Sequence, residues 1–210
     1  MTDTLRLFDY DRAFFPDVVA GMDEAGRGPL AGPVVAACVV MPLDTPISGI
    51  YDSKKVSEKN RERLYEEIIR TATAYGVGVV DNKRIDAVNI LNATREAMRQ
   101  AYESMRLAPH LLLVDAVTNL DLRVPTRAIV KGDATSYNIA AASIVAKVTR
   151  DRMMRAYNAQ YPAYGFVKNK GYGTSTHIAA LQTVGKCPLH RNTFIGRFVK
   201  ETACGKDEVK

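Results

Sequence analysis

The hydrophobic pattern of the chain predicts strands first and then strands that alternate with helices. Five short segments are apolar or β-branched and are bounded by Gly, Pro or Asp, which is typical of strands. The predicted strands are residues 18–22, 34–41, 74–80, 111–114 and 127–130. Three early strands with short connections, followed by strand and helix in alternation, indicate an α/β fold with a mixed five-stranded sheet flanked by helices.

Apolar residues at helical spacing predict three longer helices. Ser57 is placed to cap a helix that extends to about residue 73, a second helix covers about residues 90–105, and a third covers residues 135–157. The third has an apolar stripe and a stripe of positive charge. The charged stripe consists of Lys147, Arg150, Arg152 and Arg155.

The C-terminal part of the chain has the pattern of loops with short helices, over residues 174–184 and 193–200, and we expect it to fray after Glu201. No linker of Gly, Ser or Pro divides the chain into two halves. We therefore predict a main domain of residues 1–160 and a small helical region of residues 161–210, which packs on it to form one compact unit.

Charge favours a polyanionic partner such as nucleic acid, because 29 basic and 23 acidic residues give a net charge of +6. The longest apolar stretch, roughly residues 33–42, is shorter than the ~20 residues that span a bilayer. Residues 1–16 do not have the pattern of a secretory signal. Cys38, Cys187 and Cys204 are widely spaced, which predicts free thiols. We expect a soluble, cytoplasmic monomer.

Four acidic residues lie at the ends of predicted elements. Asp23 and Glu24 follow the first strand, Asp115 follows the fourth, and Asp133 precedes the long helix. Ligands of open α/β sheets gather at the carboxyl ends of strands, and carboxylate oxygens are preferred by Mg²⁺ and Mn²⁺. The pattern indicates a divalent metal site. The simpler alternatives are exposed acids in a glycine-rich turn and, for Asp133, a helix cap.

A glycine-rich segment and several basic segments fit contact with nucleic acid. Gly26 and Gly28 permit close approach of the backbone to a ligand, and Arg27 between them suits a phosphate. Tyr172 lies between two glycines, where its ring could stack on a sugar or base, or could pack over its own loop. Basic clusters that could follow a phosphate backbone occupy residues 53–55, 147–155, 168–170 and 191–200.

Two other functions fit parts of this pattern. A dinucleotide-binding enzyme would explain the glycines, but such a loop opens a helix, whereas residues 33–35 continue as a strand. Two acids directly before the glycines would also repel a pyrophosphate. A nucleic-acid-binding protein without catalytic activity would explain the basic segments, but it gives no reason for four acids at strand and helix ends.

These segments together resemble ribonuclease HII, the type 2 ribonuclease H family, over nearly all of the chain. The segments that carry the resemblance are residues 23–33, 52–55, 115, 131–133, 141–144, 146–148, 150–151 and 171–174. The resemblance implies a ribonuclease H-like fold and an endonuclease that cuts the RNA strand of RNA–DNA hybrids. It also implies cutting on the 5′ side of single ribonucleotides embedded in duplex DNA, with 3′-hydroxyl and 5′-phosphate products.

The resemblance also assigns roles to individual residues. Asp23, Glu24, Asp115 and Asp133 match the family's catalytic acids, which bind two divalent metal ions, Mn²⁺ or Mg²⁺.

The substrate contacts implied by the resemblance lie in three segments. The backbone of Gly26, Arg27 and Gly28 would contact the ribonucleotide 2′-hydroxyl, which distinguishes RNA from DNA. Tyr172 would lie against the deoxyribose that follows, so that an RNA-to-DNA junction is recognised. Lys54 and Lys55 form a basic pair in a matching segment and are expected to bind substrate.

Overall fold

The computed structural model describes residues 3–51, 53 and 56–199. Its centre is one mixed sheet with the strand order β3-β2-β1-β4-β5. The strands are β1 (Val19–Ala25), β2 (Val34–Val40), β3 (Ala74–Val80), β4 (Leu111–Asp115) and β5 (Thr126–Ile129). β2 is antiparallel to both of its neighbours, whereas β1, β4 and β5 are mutually parallel. The predicted five-stranded mixed sheet is confirmed, and each strand lies within three residues of its predicted bounds.

Helices cover both faces of the sheet. They are α1 (Asp3–Arg12), α2 (Glu58–Thr71), α3 (Asn82–Met105), α4 (Tyr137–Gln160), α5 (Phe166–Asn169), α6 (Ser175–Val184) and α7 (Asn192–Ile195). Short 3₁₀ turns lie at Gly132–Ala134 and Pro162–Tyr164. Ser57 caps α2 as predicted, and its side chain accepts a hydrogen bond from the Asn60 N–H. Within the described ranges, none of these helices is both long and apolar enough to cross a bilayer.

The observed helices differ from the predicted ones at three places. α1 was not predicted. α3 begins earlier than expected and is broken at Asn89, where φ is 67°. The Asn89 side chain accepts a hydrogen bond from the Asn92 N–H at 3.1 Å, so it caps the second part of α3, which is the predicted helix at residues 90–105. α7 ends at Ile195 and gives way to turns, instead of continuing through the predicted residues 193–200.

α4 is buried against the sheet along most of its length. Its first half is rich in alanine, and these small side chains allow its backbone to approach β1 closely. At Gly21 of β1 a Cβ atom would lie 2.1 Å from the carbonyl carbon of Asn138. Val19 and Leu113 point to the same face of the sheet and pack against Ile139. β1 and β4 therefore present alternate residues to α4.

α1 supports the beginning of α4. Leu7 and Phe8 enter the core between α1 and α4. Asp11 is buried, and its Oδ2 accepts hydrogen bonds from the Asn138 N–H at 2.7 Å and the Ser136 hydroxyl at 3.1 Å. Burial raises the pKa of Asp11 to about 6. A buried carboxyl at the N-terminus of a helix satisfies donors that the helix itself cannot.

The described C-terminal residues pack on the end of α4 and on the loop after β1. Tyr164, Phe166, Leu181 and Ile195 form a small core with several residues of that neighbourhood. The residues from the rest of the chain in this core are Leu30, Ala31 and Met154. The division into a domain of residues 1–160 and a region of residues 161–210 stays a prediction.

We predict that Gly21→Ala strongly destabilises the protein. The added methyl group would overlap the backbone of α4, and separating α4 from β1 should cost about 3 kcal/mol or more. Thermal unfolding measures the effect. Gly196→Ala is the matched control, because a Cβ there meets nothing within 4 Å and φ is −51°. Equal unfolding temperatures for the two variants would contradict the close contact.

Candidate active site

Two of the predicted acids are brought side by side by the strand register. Met22 of β1 pairs with Val114 of the parallel β4, so the following residues, Asp23 and Asp115, lie level with each other. Neighbouring strands are about 5 Å apart, and residues at equivalent positions point to the same face. Both side chains therefore lie on the face covered by α4. Glu24 points to the opposite face, at the end of the sheet.

Asp23 is held in a buried, electrostatically unfavourable position. Its pKa is raised well above the ordinary value, first by burial and then by the negative charges of Glu24 and Asp115. Hydrogen bonds from the Glu24 N–H, at 2.7 Å, and from the Ser143 hydroxyl oppose this shift only in part. The ionised carboxylate repels its neighbours, so a cation placed among them would relieve an existing strain.

Glu24 and Asp115 are engaged with other protein groups. Glu24 Oε1 lies 3.3 Å from the Arg27 guanidinium. Asp115 Oδ1 accepts a hydrogen bond at 2.7 Å from the N–H of Gly132, the residue before the buried Asp133. Among residues 3–51, 53 and 56–199, no three acidic, histidine or cysteine side chains are already placed to hold one ion.

This donor set fits a hard divalent cation. All four side chains are carboxylates, and charge repulsion is already present around Asp23. Mg²⁺ and Mn²⁺ prefer such oxygens. Arg27 contacts only Oε1 of the Glu24 carboxylate, and the acidic side chains would have to turn towards the ion to bind it. Asp23, Glu24, Asp115 and Asp133 are therefore the residues that could hold metal.

The loop after β1 is fixed by a buried arginine from the C-terminal region. Arg191 is 0% exposed, and its guanidinium donates to the carbonyl oxygens of Gly26 at 2.6 Å and Arg27 at 3.0 Å. It also donates to Gly32 at 3.0 Å and Pro33 at 3.2 Å. Burial lowers the pKa of Arg191 to about 9. This one side chain therefore sets the direction of several peptide groups in the loop.

Arg150 of α4 is a second buried arginine on the same loop. It is 1% exposed and donates to the carbonyl oxygens of Ala31 at 3.0 Å, Pro33 at 2.9 Å and Lys170 at 2.8 Å. Gly26 has φ 101°, and a Cβ there would lie 2.2 Å from Arg150 Nε, so glycine is required. Arg150 thus ties the loop after β1 to the chain just before Tyr172.

These elements enclose an open cleft of about 200 Å³. Tyr172 is 44% exposed, and its Cε1 lies 3.7 Å from the position of a Cβ on Gly28. The cleft is lined by Asp23, Glu24, Ala25, Gly26, Arg27, Gly28, Ser53, Ser143, Lys147 and Tyr172. The predicted acids of β1, glycine-rich segment and tyrosine therefore share one surface.

Four lining residues are not among the predicted catalytic and substrate residues: Ala25, Ser53, Ser143 and Lys147. Ser53 and Lys147 were predicted only as members of the basic segments. The hydroxyl groups of Ser53 and Ser143 lie 2.7 Å apart, and Ser143 contacts Asp23. Lys147 Nζ lies 2.7 Å from Asp151 Oδ1, and burial lowers the pKa of this lysine. Ser143 and Lys147 are four residues apart and so lie on one face of α4. This four-residue spacing is the sequence signal from which the two residues could have been predicted to share a surface.

In two of the predicted basic segments, several arginines are engaged within the protein, whereas Lys147 lines the cleft. Arg150 and Arg191 are buried, and the exposed arginines of α4 pair with acids of α2. Arg152 lies 2.6 Å from both Glu62 and Glu66, and Arg155 lies 2.9 Å from Glu58. These arginines support packing between α2 and α4. The predicted substrate residues Lys54 and Lys55 lie outside the described residues, and their role stays a prediction.

Two histidines, His177 and His190, and the cysteines Cys38 and Cys187 are buried, whereas Cys204 lies outside the described residues. Cys38 and Cys187 are buried free thiols, as predicted. His190 Nδ1 accepts a hydrogen bond at 2.9 Å from the Cys187 N–H, so the two residues meet through backbone contact. The loop after β1 continues into β2 and not into a helix, which also removes the dinucleotide-binding alternative.

Comparison with known proteins identifies the family. A sequence model of the family Ribonuclease HII matches residues 20–197. A ribonuclease HII of Acetivibrio thermocellus is 50% identical over 190 residues, which cover 90% of this chain and 73% of that protein. The crystal structure of ribonuclease H2 from Pyrococcus horikoshii OT3 has a TM-score of 0.71 at 30% identity, over 86% of this chain and 98% of that one.

A more distant structure shares the fold. Bst-RNase HIII in complex with Mn²⁺ has a TM-score of 0.62 at 18% identity, over 84% of this chain and 65% of that one. The predicted ribonuclease H-like fold is confirmed. The chain belongs to the ribonuclease HII family, and it is an endoribonuclease that hydrolyses the RNA strand of RNA–DNA hybrids.

Proposed function

We propose that this enzyme also cuts duplex DNA on the 5′ side of a single embedded ribonucleotide, by two-metal-ion catalysis. The products would be a 3′-hydroxyl and a 5′-phosphate. The observation that carries the proposal is the shared cleft, in which Asp23 and Glu24 lie beside Gly26, Gly28 and Tyr172. Groups able to hold metal are thus adjacent to groups able to recognise a ribose.

Asp23, Glu24, Asp115 and Asp133 are proposed to hold the metal ions, Mn²⁺ or Mg²⁺. Bound divalent ions would supply activation of water and neutralisation of charge on the scissile phosphate. Asp23 and Asp115 are held level by the strand register. Ser143 and the Glu24 N–H orient Asp23. The protein therefore presents the carboxylates at fixed positions and needs no histidine or serine nucleophile.

Recognition of the 2′-hydroxyl is proposed to come from backbone N–H groups of the glycine-rich segment. The carbonyls of Gly26 and Arg27 point to Arg191. In a trans peptide the N–H points opposite to the C=O, so the N–H groups of Arg27 and Gly28 point away from Arg191. Both residues line the cleft. These donors suit a hydroxyl that distinguishes RNA from DNA.

Tyr172 is proposed to lie against the deoxyribose that follows the ribonucleotide. Its ring is exposed and borders Gly28, which has no side chain. A 2′-hydroxyl on the second sugar would crowd a ring placed against it. The pair of contacts, one to a ribose and one to a deoxyribose, would select an RNA-to-DNA junction.

We predict that Asp23→Asn lowers cleavage by at least about a thousandfold, a barrier change of about 4 kcal/mol, because a metal-binding charge is lost. Metal-free thermal stability should be equal or higher, since the repulsion around Asp23 is removed. Mn²⁺ should raise the unfolding temperature of the parent more than that of the variant. Asp44→Asn, in an exposed loop, is the control. Unchanged turnover of Asp23→Asn would reject the metal role.

We predict that Tyr172→Ala reduces cutting at a single ribonucleotide about tenfold more than cutting of a continuous RNA–DNA hybrid, because the lost stacking contact is worth ~1–3 kcal/mol. The ratio of kcat/KM on the two substrates measures this. Tyr172→Phe retains the ring and should retain the ratio. Equal losses on both substrates would count against junction recognition by this tyrosine.

A further inference from the structure

Two histidines lie beneath the turn that carries Tyr172. His177, in α6, and His190, before α7, are both buried, and their Nε2 atoms are 3.0 Å apart. The rings of Tyr164 and Phe166 pack around them. On its other side, His177 Nδ1 lies 2.9 Å from the carbonyl oxygen of Tyr172.

The partners of these rings determine which nitrogen carries each proton. A carbonyl oxygen can only accept, so His177 Nδ1 must carry a hydrogen and donate to Tyr172. In a neutral ring His177 Nε2 is then an acceptor, and His190 Nε2 must donate to it. His190 Nδ1 is consequently an acceptor, and the Cys187 N–H donates to it at 2.9 Å.

The opposite assignment would leave poor contacts. His190 Nδ1 is also 3.2 Å from the Cys187 carbonyl oxygen. If it donated there, His177 Nε2 would donate to His190, and His177 Nδ1 would face the Tyr172 oxygen without a hydrogen. The Cys187 N–H would lose its acceptor as well. The Cys187 carbonyl already accepts from the His190 backbone N–H at 3.1 Å.

Burial also favours neutral rings. It lowers the pKa of His190 to about 4 and lowers the pKa of His177. One directed chain of hydrogen bonds therefore runs from the Cys187 N–H through both imidazoles to the Tyr172 carbonyl.

This chain of hydrogen bonds ends at the Tyr172 carbonyl, which belongs to the turn that positions the Tyr172 ring. The Tyr172 carbonyl also accepts from the Thr174 N–H at 2.8 Å, and the Tyr172 N–H donates to the Asn169 carbonyl at 2.8 Å. The ring itself is 44% exposed, and the Arg150 guanidinium carbon lies 6.0 Å from the ring centroid. Its place over the cleft thus depends on the orientation of this peptide group.

We propose that His177, held in one tautomer by His190, is a positioning residue that fixes the Tyr172 turn and so sets the preference for a single embedded ribonucleotide over a continuous hybrid. The inference rests on the proposed role of Tyr172. His177 does not touch substrate, and its effect passes through the tyrosine.

Two substitutions at His177 test the roles of its two ring nitrogens separately. The amide nitrogen of Asn can occupy the place of Nδ1, so His177→Asn keeps a donor to the Tyr172 carbonyl. His177→Gln carries its amide at the place of Nε2, so it keeps contact with His190 and loses that donor. Both variants remove the same ring from among Tyr164 and Phe166, which makes them a matched pair. Thermal unfolding of both checks that they are equally folded.

The readout is the ratio of kcat/KM on duplex DNA with one ribonucleotide to kcat/KM on a continuous RNA–DNA hybrid. His177→Gln should lower this ratio about fivefold, the size expected from one hydrogen bond, and His177→Asn should restore most of it. In a Tyr172→Ala background neither substitution should change the ratio, because no ring remains to be misplaced.

Each outcome decides between the hypotheses. If His177→Gln lowers the ratio equally with and without the Tyr172 ring, or if the Asn and Gln variants behave alike, the positioning role is rejected. If Tyr172→Ala alone lowers the ratio but His177→Gln does not, only this inference fails. If Tyr172→Ala leaves the ratio unchanged, the proposed junction recognition fails, and the positioning role fails with it.

Discussion

The active-site cleft depends on two buried guanidinium groups that hold backbone carbonyls. The hydrogen bonds of Arg150 and Arg191 that are described here all end on main-chain oxygens of the loop after β1 or of Lys170. Burying a guanidinium is costly, as the lowered pKa of each arginine reflects. The cost is offset only while the planar donor groups find all of their acceptors. The loop geometry is therefore coupled to the packing of α4 and of the C-terminal region.

This coupling explains how distant segments form one surface. Arg191 orients the carbonyls of Gly26 and Arg27, so their peptide N–H groups face the other way. Arg150 connects the same loop to Lys170, and the histidine pair supports the turn two residues further on. The substrate-facing groups lie on loops, where function concentrates, while the groups that position them are buried. The geometry of the cleft is therefore set by buried residues that do not line it.

Much of the sheet and of the acid cluster could be predicted from the sequence, because strand alternation and glycine-rich turns are local signals. α1 could not. Its buried positions are Thr4, Leu7, Phe8 and Asp11, so half of the stripe is polar and the hydrophobic periodicity is hidden. The burial of Arg150 and Arg191 could not be predicted either, because arginine is rarely buried and all but one of the acceptors, the Lys170 carbonyl, lie more than 100 residues away in the chain.

The positive and the negative side chains at this site have different kinds of partner, and this difference affects metal binding. The guanidinium groups of Arg150 and Arg191 donate to carbonyl oxygens, and that of Arg27 contacts Glu24, so none of these three arginines pairs with Asp23. The raised pKa of Asp23 reflects burial and repulsion by the neighbouring carboxylates of Glu24 and Asp115. The register of β1 and β4 nevertheless holds Asp23 and Asp115 level with each other. Had an arginine paired with Asp23, the carboxylate would be stabilised and a cation would have to displace the guanidinium. Because none of these arginines pairs with Asp23, a divalent ion does not have to displace a guanidinium group from this carboxylate.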